Sequence, residues 1–354
     1  MRRDRLAFLC VGLAALFLAP MAEPARGDSD VTTYVQLRAT FPEGGGPTAS
    51  VRRLKVTCEG ELGRDVQYLA QGICKTGNAS ATDNRVYLQD ALIRVRLGGG
   101  SITIGQFKPP FGLERFTPDW DLDTIDRAIM TDSLVPNGKL SKGQGFTRDY
   151  GVQWEASLRG GRVSVAAGLF TGHGANAPWL GISPLVAGRV VWTAHRGKQS
   201  VLRMGASVSW RDARGLDFSS ALPDTASSGF AHFTGEDTRW GIEASLDYHR
   251  VRLRGELMRA QFHPTTGGTG PSTAAGGYAQ VSYRFSGHLE AATKLERFDP
   301  NTSVRNQWDQ RQASVGLTYL LRGRKDRLQL VYTRPMGLGQ VGPSRMVCQF
   351  QKFL

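Results

Sequence analysis

Between positions 108 and 148 the chain carries six basic side chains, Lys108, Arg115, Arg127, Lys139, Lys142 and Arg148. Six acidic ones, Glu114, Asp119, Asp121, Asp123, Asp126 and Asp132, share the same stretch. A phosphate dianion calls for convergent donors with little competing negative charge. A balanced set does something else: opposed charges set a transverse field, and size does most of the selecting. Further cations lie in runs of period two, where Arg38, Arg53, Lys55, Arg94, Arg96, Arg203, Arg211, Arg250, Arg252 and Arg254 fall on faces able to meet water. Acidic neighbours such as Glu59 and Glu243 can brace many of them. These residue types suit transient contact with small anionic or polar solutes. They do not make a reaction centre.

Other chemistries fare worse. Asp119, Asp121 and Asp123 open like a calcium-binding loop, yet the sixth position is Thr124 where glycine is needed and the twelfth is Met130 where glutamate is needed. Solvated carboxylates pairing with arginines across a lumen are the better reading. His173, His195, His232, His249, His263 and His288 are scattered, with no H-x-x-x-H and no cysteine pair beside them, so no metal or cofactor is expected. No Gly-x-Ser-x-Gly elbow occurs, and no glycine-rich loop precedes a helix. The chain reads as a non-enzyme.

The elements that must position these charges are strands. In 202–211 the even positions are Leu202, Met204, Ala206, Val208 and Trp210, and the odd ones Arg203, Gly205, Ser207, Ser209 and Arg211. Residues 239–248 repeat the pattern, with Trp240, Ile242, Ala244, Leu246 and Tyr248 on one face. Period two over about ten residues is the length of a tilted membrane-crossing strand. Sixteen such runs are predicted: 30–41, 51–61, 65–74, 85–97, 101–107, 149–159, 162–171 and 185–195, then 199–211, 239–248, 251–262, 276–285, 288–298, 309–320, 325–334 and 344–354. Their connections alternate between long (42–50, 75–84, 108–148, 172–184, 212–238) and tight (62–64, 98–100, 160–161, 196–198, 249–250). A soluble sandwich has no reason to collect every long loop at one end. An all-β transmembrane antiparallel barrel does, with tight turns on the periplasmic side. No unpaired backbone group can face lipid, so the strands must close. Trp210, Trp240, Tyr248, Tyr283, Phe285, Tyr319 and Tyr332 are expected to face outward near strand ends, as interfacial girdles.

Residues 1–20 supply a basic start and the apolar run 6–18, which is short for a span and reads as an export signal. The expected division is a signal peptide over 1–27 and an outer-membrane barrel over 28–354. Removing four arginines and two acids with residues 1–27 takes the formal charge from +13 to +11. Among the remaining cysteines, hairpin register sets Cys58 opposite about residue 68, so it does not face Cys74 directly.

The stretches VRRLKVTCEGELGRDVQY (51–68), GQFKPPFGLER (105–115), the Asp126–Arg127 pair and RDYGVQWEA (148–156) resemble the phosphate-selective porin O/P family. The resemblance runs from about residue 51 to the end. It implies trimeric sixteen-stranded barrels whose long third loop, here 108–148, folds inward to narrow the pore. Arg115 and Arg127 match two basic positions of the phosphate-binding relatives, and Arg52 with Arg53 looks like part of the family's arginine ladder. Where those relatives carry serine, serine and lysine, this chain has Pro118, Asp119 and Trp120. The expectation is an outer-membrane porin for small hydrophilic solutes with anion, and conditionally phosphate, preference. Its partners are anionic or polar solutes, outer-membrane lipid and two further copies of itself, with no nucleic acid. A non-conducting surface or adhesion barrel and a barrel membrane enzyme are the alternatives.

Overall fold

The computed structural model describes residues 29–76, 85–139, 147–177, 183–265, 270–336 and 342–354; the expected signal segment and Lys142 lie outside them. The first eight strands are β1 (Ser29–Pro42), β2 (Thr48–Glu61), β3 (Val66–Cys74), β4 (Val86–Leu97), β5 (Gly100–Phe107), β6 (Asp149–Leu158), β7 (Val163–Phe170) and β8 (Leu185–Arg196). The rest are β9 (Ser200–Leu216), β10 (Phe233–Tyr248), β11 (Val251–Pro264), β12 (Ser272–Arg284), β13 (Leu289–Asp299), β14 (Gln310–Arg322), β15 (Asp326–Pro335) and β16 (Arg345–Phe353). Each pairs antiparallel with its chain neighbour, and β1 pairs with β16 from Tyr34↔Phe353 to Pro42↔Arg345. The barrel of sixteen strands is closed. Every ladder therefore finds a partner, and the lipid-facing wall has no open edge.

Alternation sorts the side chains as the sequence predicts. On β10 Gly241, Glu243 and Ser245 are buried inward, while Trp240 and Ile242 are exposed on the outer surface. All seven aromatics of the expected girdles are exposed. Pro109 and Pro110 stand one residue beyond the end of β5, where a missing N–H and fixed φ take the chain off the ladder. Cys58 lies opposite Ala70, and Cys58, Cys74 and Cys348 form no disulfide among the described residues.

Three connections differ by three residues or more from the reading by periodicity. One is the β11–β12 connection, since β12 begins at Ser272 and not at 276. β1 and β2 extend toward each other, so the connection expected over 42–50 shrinks to 43–47. β9 and β10 run on to Leu216 and back from Phe233, past the residues whose outer face is apolar enough to have been counted. Their inner faces, including Arg211, Ala213, Asp237 and Phe233, are buried beneath residues 217–232. Arg211 is thus corrected from a water-facing to a fully buried residue.

An apolar cluster occupies the β9–β13 side of the barrel interior. Phe111, Met130, Leu134 and Val135 of the 108–148 loop meet Phe218, Leu222 and Phe230 of the 217–232 loop. Met258 and Phe262 of β11, Tyr278 of β12 and Phe298 of β13 complete it. Phe230 stacks on Phe233 at 5.1 Å and meets Phe262 edge-on at 5.3 Å. Each buried ring contributes on the order of 1.5–3 kcal/mol.

Candidate functional site

The described parts of the loop, 108–139 and 147–148, make polar contacts with inner-face side chains of β1, β2, β4, β9–β13, β15 and β16. The segment begins with a clamp on the Phe-Gly-Leu-Glu run. Ser207 Oγ accepts from the Gly112 N–H at 3.0 Å, and the Glu256 carboxylate accepts from the Leu113 and Glu114 N–H groups at 2.8 and 3.2 Å. Gly112 has φ +80°, and a Cβ there would stand 2.5 Å from Glu256 Oε1. Only glycine fits that approach. A short helix, α1 (Ile129–Leu134), follows. Its first N–H groups donate to Glu114 at Ala128 (2.7 Å) and to Glu296 at Ile129 (2.6 Å), carboxylates at the positive end of the helix. At its other end the Arg239 guanidinium donates to the Leu134 and Val135 carbonyls, both at 3.0 Å. Arg239 is in turn held two-pronged by Asp237, at 2.7 Å on each side.

The acidic run between these anchors is spent on the wall. Asp119 takes Lys55 at 2.6 Å, Arg127 at 2.7 Å and Arg53 at 3.5 Å. Asp121 and Asp123 converge on Arg324 from the β14–β15 turn. Asp123 also takes Arg252 at 3.1 Å and accepts from Gln280 and Ser282, each at 2.7 Å. Asp126 takes Arg38 at 2.8 Å and lies 3.9 Å from Arg52. Burial alone would raise the Asp123 carboxyl; Arg324 and Arg252 outweigh it and bring it down to about 2. Asp119 is likewise held well below the carboxylate range against its burial, by Arg53, Lys55 and Arg127. Among the described residues no group of three metal-ligating side chains could hold an ion.

What those pairings leave open is a cavity of about 810 Å³ between the loop and the walls of β1–β4 and β13–β16. Six wall cations line it, Arg38, Arg52, Arg53, Lys75, Lys294 and Arg345, with Arg115, Arg127, Lys139 and Arg148 from the loop. Asp119, Asp126, Asp132 and Glu296 are the acids in the same lining, so ten cations face four acids, a formal excess of six. Arg52 and Arg53 both reach it because of a β-bulge. Gln36 pairs with Arg53 and Leu37 with Val51, leaving Arg52 as the extra residue of β2. A bulge re-aims side chains that strict alternation would send to opposite faces.

The sequence-derived residues separate accordingly. Arg52, Arg53, Arg115, Arg127 and Lys139 come together in the cationic cavity. Lys55 points into the neighbouring cavity and is bound to Asp119. Lys108 lies there too, donating to the Arg115 carbonyl at 3.0 Å; burial, and after it Arg148 and Arg115, lowers its ammonium well below the lysine range. Arg252 and Arg254 stand on the far wall among Asp121, Asp123 and Thr117. Arg250 sits at the β10–β11 turn and donates to the Phe285 carbonyl at 3.2 Å, away from both cavities. Arg38 and Arg148, named from the sequence as a water-facing and a loop cation, join the cationic cavity, and Lys75, Lys294 and Arg345 enter it without having been named. Lys294 and Arg345 lie on inner faces that alternation marks, whereas Lys75 follows the end of β3, where no periodicity speaks.

The family model for phosphate-selective porin O and P matches residues 34–333, and the chain belongs to that family. No curated protein matches it. Among solved structures it is similar to the anion-selective porin from Comamonas acidovorans, at 12% identity and TM-score 0.61, over 93% of this chain and 100% of that one. It is similar to OmpT, an outer membrane protein of Vibrio cholerae in a trimer form, at 11% identity and TM-score 0.58, over 93% and 99%. The outer membrane channel DcaP of Acinetobacter baumannii matches at 12% identity and TM-score 0.60, over 95% and 100%. At these identities the likeness is one of fold.

Proposed function

Taking membership of the phosphate-selective porin O and P family as premise, we propose that this chain is an anion-preferring outer-membrane porin, constricted by residues 108–148 folded into the bore. The barrel and the family support an outer-membrane channel. The anion preference rests on one observation above the others: ten cations against four acids around the cavity beside the loop. A cleft lined by one sign of charge raises the local concentration of the opposite ion. The loop acids that enter the lining, Asp119, Asp126 and Asp132, are already within that count, and the excess of cations remains after them. Transit then needs contacts weak enough to release. Flexible, partly water-exposed cations such as Arg52 suit that.

Phosphate selectivity is a narrower claim with less behind it. Pro118, Asp119 and Trp120 offer no hydroxyl and no ammonium where the resemblance expects them, and Asp119 adds a negative charge. General anion passage is the stronger reading. Export through a cleaved segment 1–27 and assembly as a homotrimer belong to the same proposal.

The test is the reversal potential of the purified full-length protein in a planar bilayer under a KCl gradient, followed by phosphate titration of the chloride current. A chloride-selective potential without micromolar phosphate block is expected. Micromolar block would restore the phosphate channel. Cation selectivity would overturn the anion reading, and absence of conductance would favour a blocked surface barrel.

A further inference from the structure

A second cavity, of about 540 Å³, lies on the tight-turn side of the loop; Asp119 and Arg148 line both cavities and so mark the divide between them. Its position follows from Glu59, Arg94, Glu155 and Lys325, which lie near tight turns and line only this one of the two. Its charges are largely matched: Lys55 with Asp119 at 2.6 Å, Arg148 with Asp90 at 2.8 Å and Arg94 with Glu155 at 3.7 Å. Aromatic surface is what sets it apart. Tyr34, Phe116, Trp120 and Phe353 all line it, together with Pro118.

These rings are arranged, not scattered. Trp120 meets Phe353 edge-on at 6.0 Å, and Phe353 stacks on Tyr34 at 5.1 Å. The Lys325 ammonium stands 5.2 Å from the Phe353 ring, is exposed, and pairs with no carboxylate among the described residues. Phe116 is 37% exposed, although the loop buries Phe111 five residues earlier almost completely. Cations reach its ring as well, Arg189 at 5.1 Å and Lys108 at 5.6 Å. A bore for simple ions gains nothing from apolar rings held open to water. Part-exposed rings in a concave site with a few placed charges are the make-up of a ligand pocket.

We propose that this vestibule is a subsite for anions that carry an aromatic ring, aryl carboxylates and aryl phosphates being the class. Trp120, with Phe116 and Phe353, takes the ring by edge or offset contact, and Lys325 takes the charge. This rests on the anion-preferring reading and adds the part of the solute that the cationic cavity does not select. It gives Pro118 and Trp120 a use where hydroxyl and ammonium donors are missing.

The experiment titrates the chloride current of the full-length channel with benzoate against acetate, and with phenyl phosphate against orthophosphate. Half-block by each aryl anion is expected at about tenfold lower concentration than by its partner, equivalent to about 1.4 kcal/mol. Trp120→Ala should bring both ratios close to one, and Trp120→Phe should keep most of them. Phe116→Ala, at an exposed ring, provides the same test should Trp120→Ala fail to assemble. The reversal potential is recorded for every variant. Equal block by aryl and simple anions in a chloride-selective channel overturns the subsite and leaves the porin reading standing. Ratios that survive both alanine variants overturn it too. A channel that does not prefer chloride overturns the anion reading itself.

Discussion

Toward β9–β13, residues 108–148 present Phe111, Met130, Leu134 and Val135 to Phe218, Phe230, Phe262 and Phe298, and that half of the interior closes as a protein core would. Toward β1–β4 and β14–β16 the same segment presents Arg115, Arg127 and Arg148 to Arg38, Arg52, Arg53 and Arg345, and that half stays open. Along the inner face of β11 the character also changes, from Arg252, Arg254 and Glu256 to Met258, Ala260 and Phe262, so the packing is confined to one end of that wall. Apolar surface decides where the loop sits. Charge, which repels itself and holds water, decides where the hole is.

Breaking the packed half should give the largest effect. Phe262→Ala removes a ring in contact with Phe218, Phe230 and Phe233 and should cost about 3–5 kcal/mol of folded stability. Arg239→Ala acts there by another route. It frees the C-terminal carbonyls of α1 and leaves Asp237, 1% exposed, with Arg211 at 3.5 Å as its one ion-pair partner among the described residues. Removing one partner of a buried pair costs on the order of 3–5 kcal/mol. Thermal unfolding in detergent measures both losses. Single-channel records should show a noisier, wider conductance as the loop loses its anchor. A melting temperature unchanged in both variants would mean that the core does not hold the loop.

On the open side, Arg52→Gln with Arg53→Gln takes the lining from ten cations to eight against the same four acids. The formal excess falls from six to four, and the chloride-to-potassium permeability ratio should drop severalfold with little change in melting temperature. Both side chains are partly exposed to pore water, and their contacts to Asp126 and Asp119 are long, at 3.9 and 3.5 Å. Asp126 keeps Arg38 at 2.8 Å and Asp119 keeps Lys55 at 2.6 Å, so neither carboxylate is orphaned. An unchanged ratio would remove the bulge from the selectivity argument.

The bulge also shows where the sequence stops being legible. Period two identified the strands, the outward aromatics and the closed barrel, because lipid outside and water inside impose a rule on every residue. It could not place Arg52 and Arg53 on one side, since adjacent residues alternate until a bulge intervenes. For Arg211 the face was right and the environment wrong. Its inner position is capped by Phe218, whose ring lies 5.7 Å from the guanidinium, and nothing local in the sequence announces that contact. Which half of the bore fills depends on Phe111, Phe218 and Phe298 meeting across nearly two hundred residues. That is tertiary information, without a period.

A smaller effect separates the halves by pH. Lys75 stands at the mouth of the open side, where burial, then Arg52 and Arg53, lowers its ammonium to about 8. It is charged below that value, so raising the pH from 7 to 9 removes one of the ten cations and the chloride preference should decline with a midpoint near 8. Lys75→Arg should flatten the profile. Acid acts differently, because Asp123 is depressed to about 2 from an ordinary value of about 4. The stability it adds is present above about 4 and lost only as the pH falls through about 2, so the loop tether should hold at pH 5. A reversal potential flat from pH 7 to 9 would assign Lys75 no part in selection.

The smallest effect is expected from Arg252→Gln with Arg254→Gln, which removes the same two charges as the Arg52 and Arg53 pair but from the far wall. There Asp121 and Asp123 keep Arg324, and Asp123 keeps Gln280 and Ser282, so the loop stays tied. In dilute salt, where the screening length approaches 30 Å, a bore feels its total charge and the two double variants should look alike. In 1 M KCl that length is about 3 Å, and only charges that an ion touches count. The Arg52 and Arg53 variant should then remain impaired while the Arg252 and Arg254 variant returns to the parent potential. If the two stay indistinguishable at high salt, ions run along both walls, and the division of the bore into a packed half and a conducting half fails.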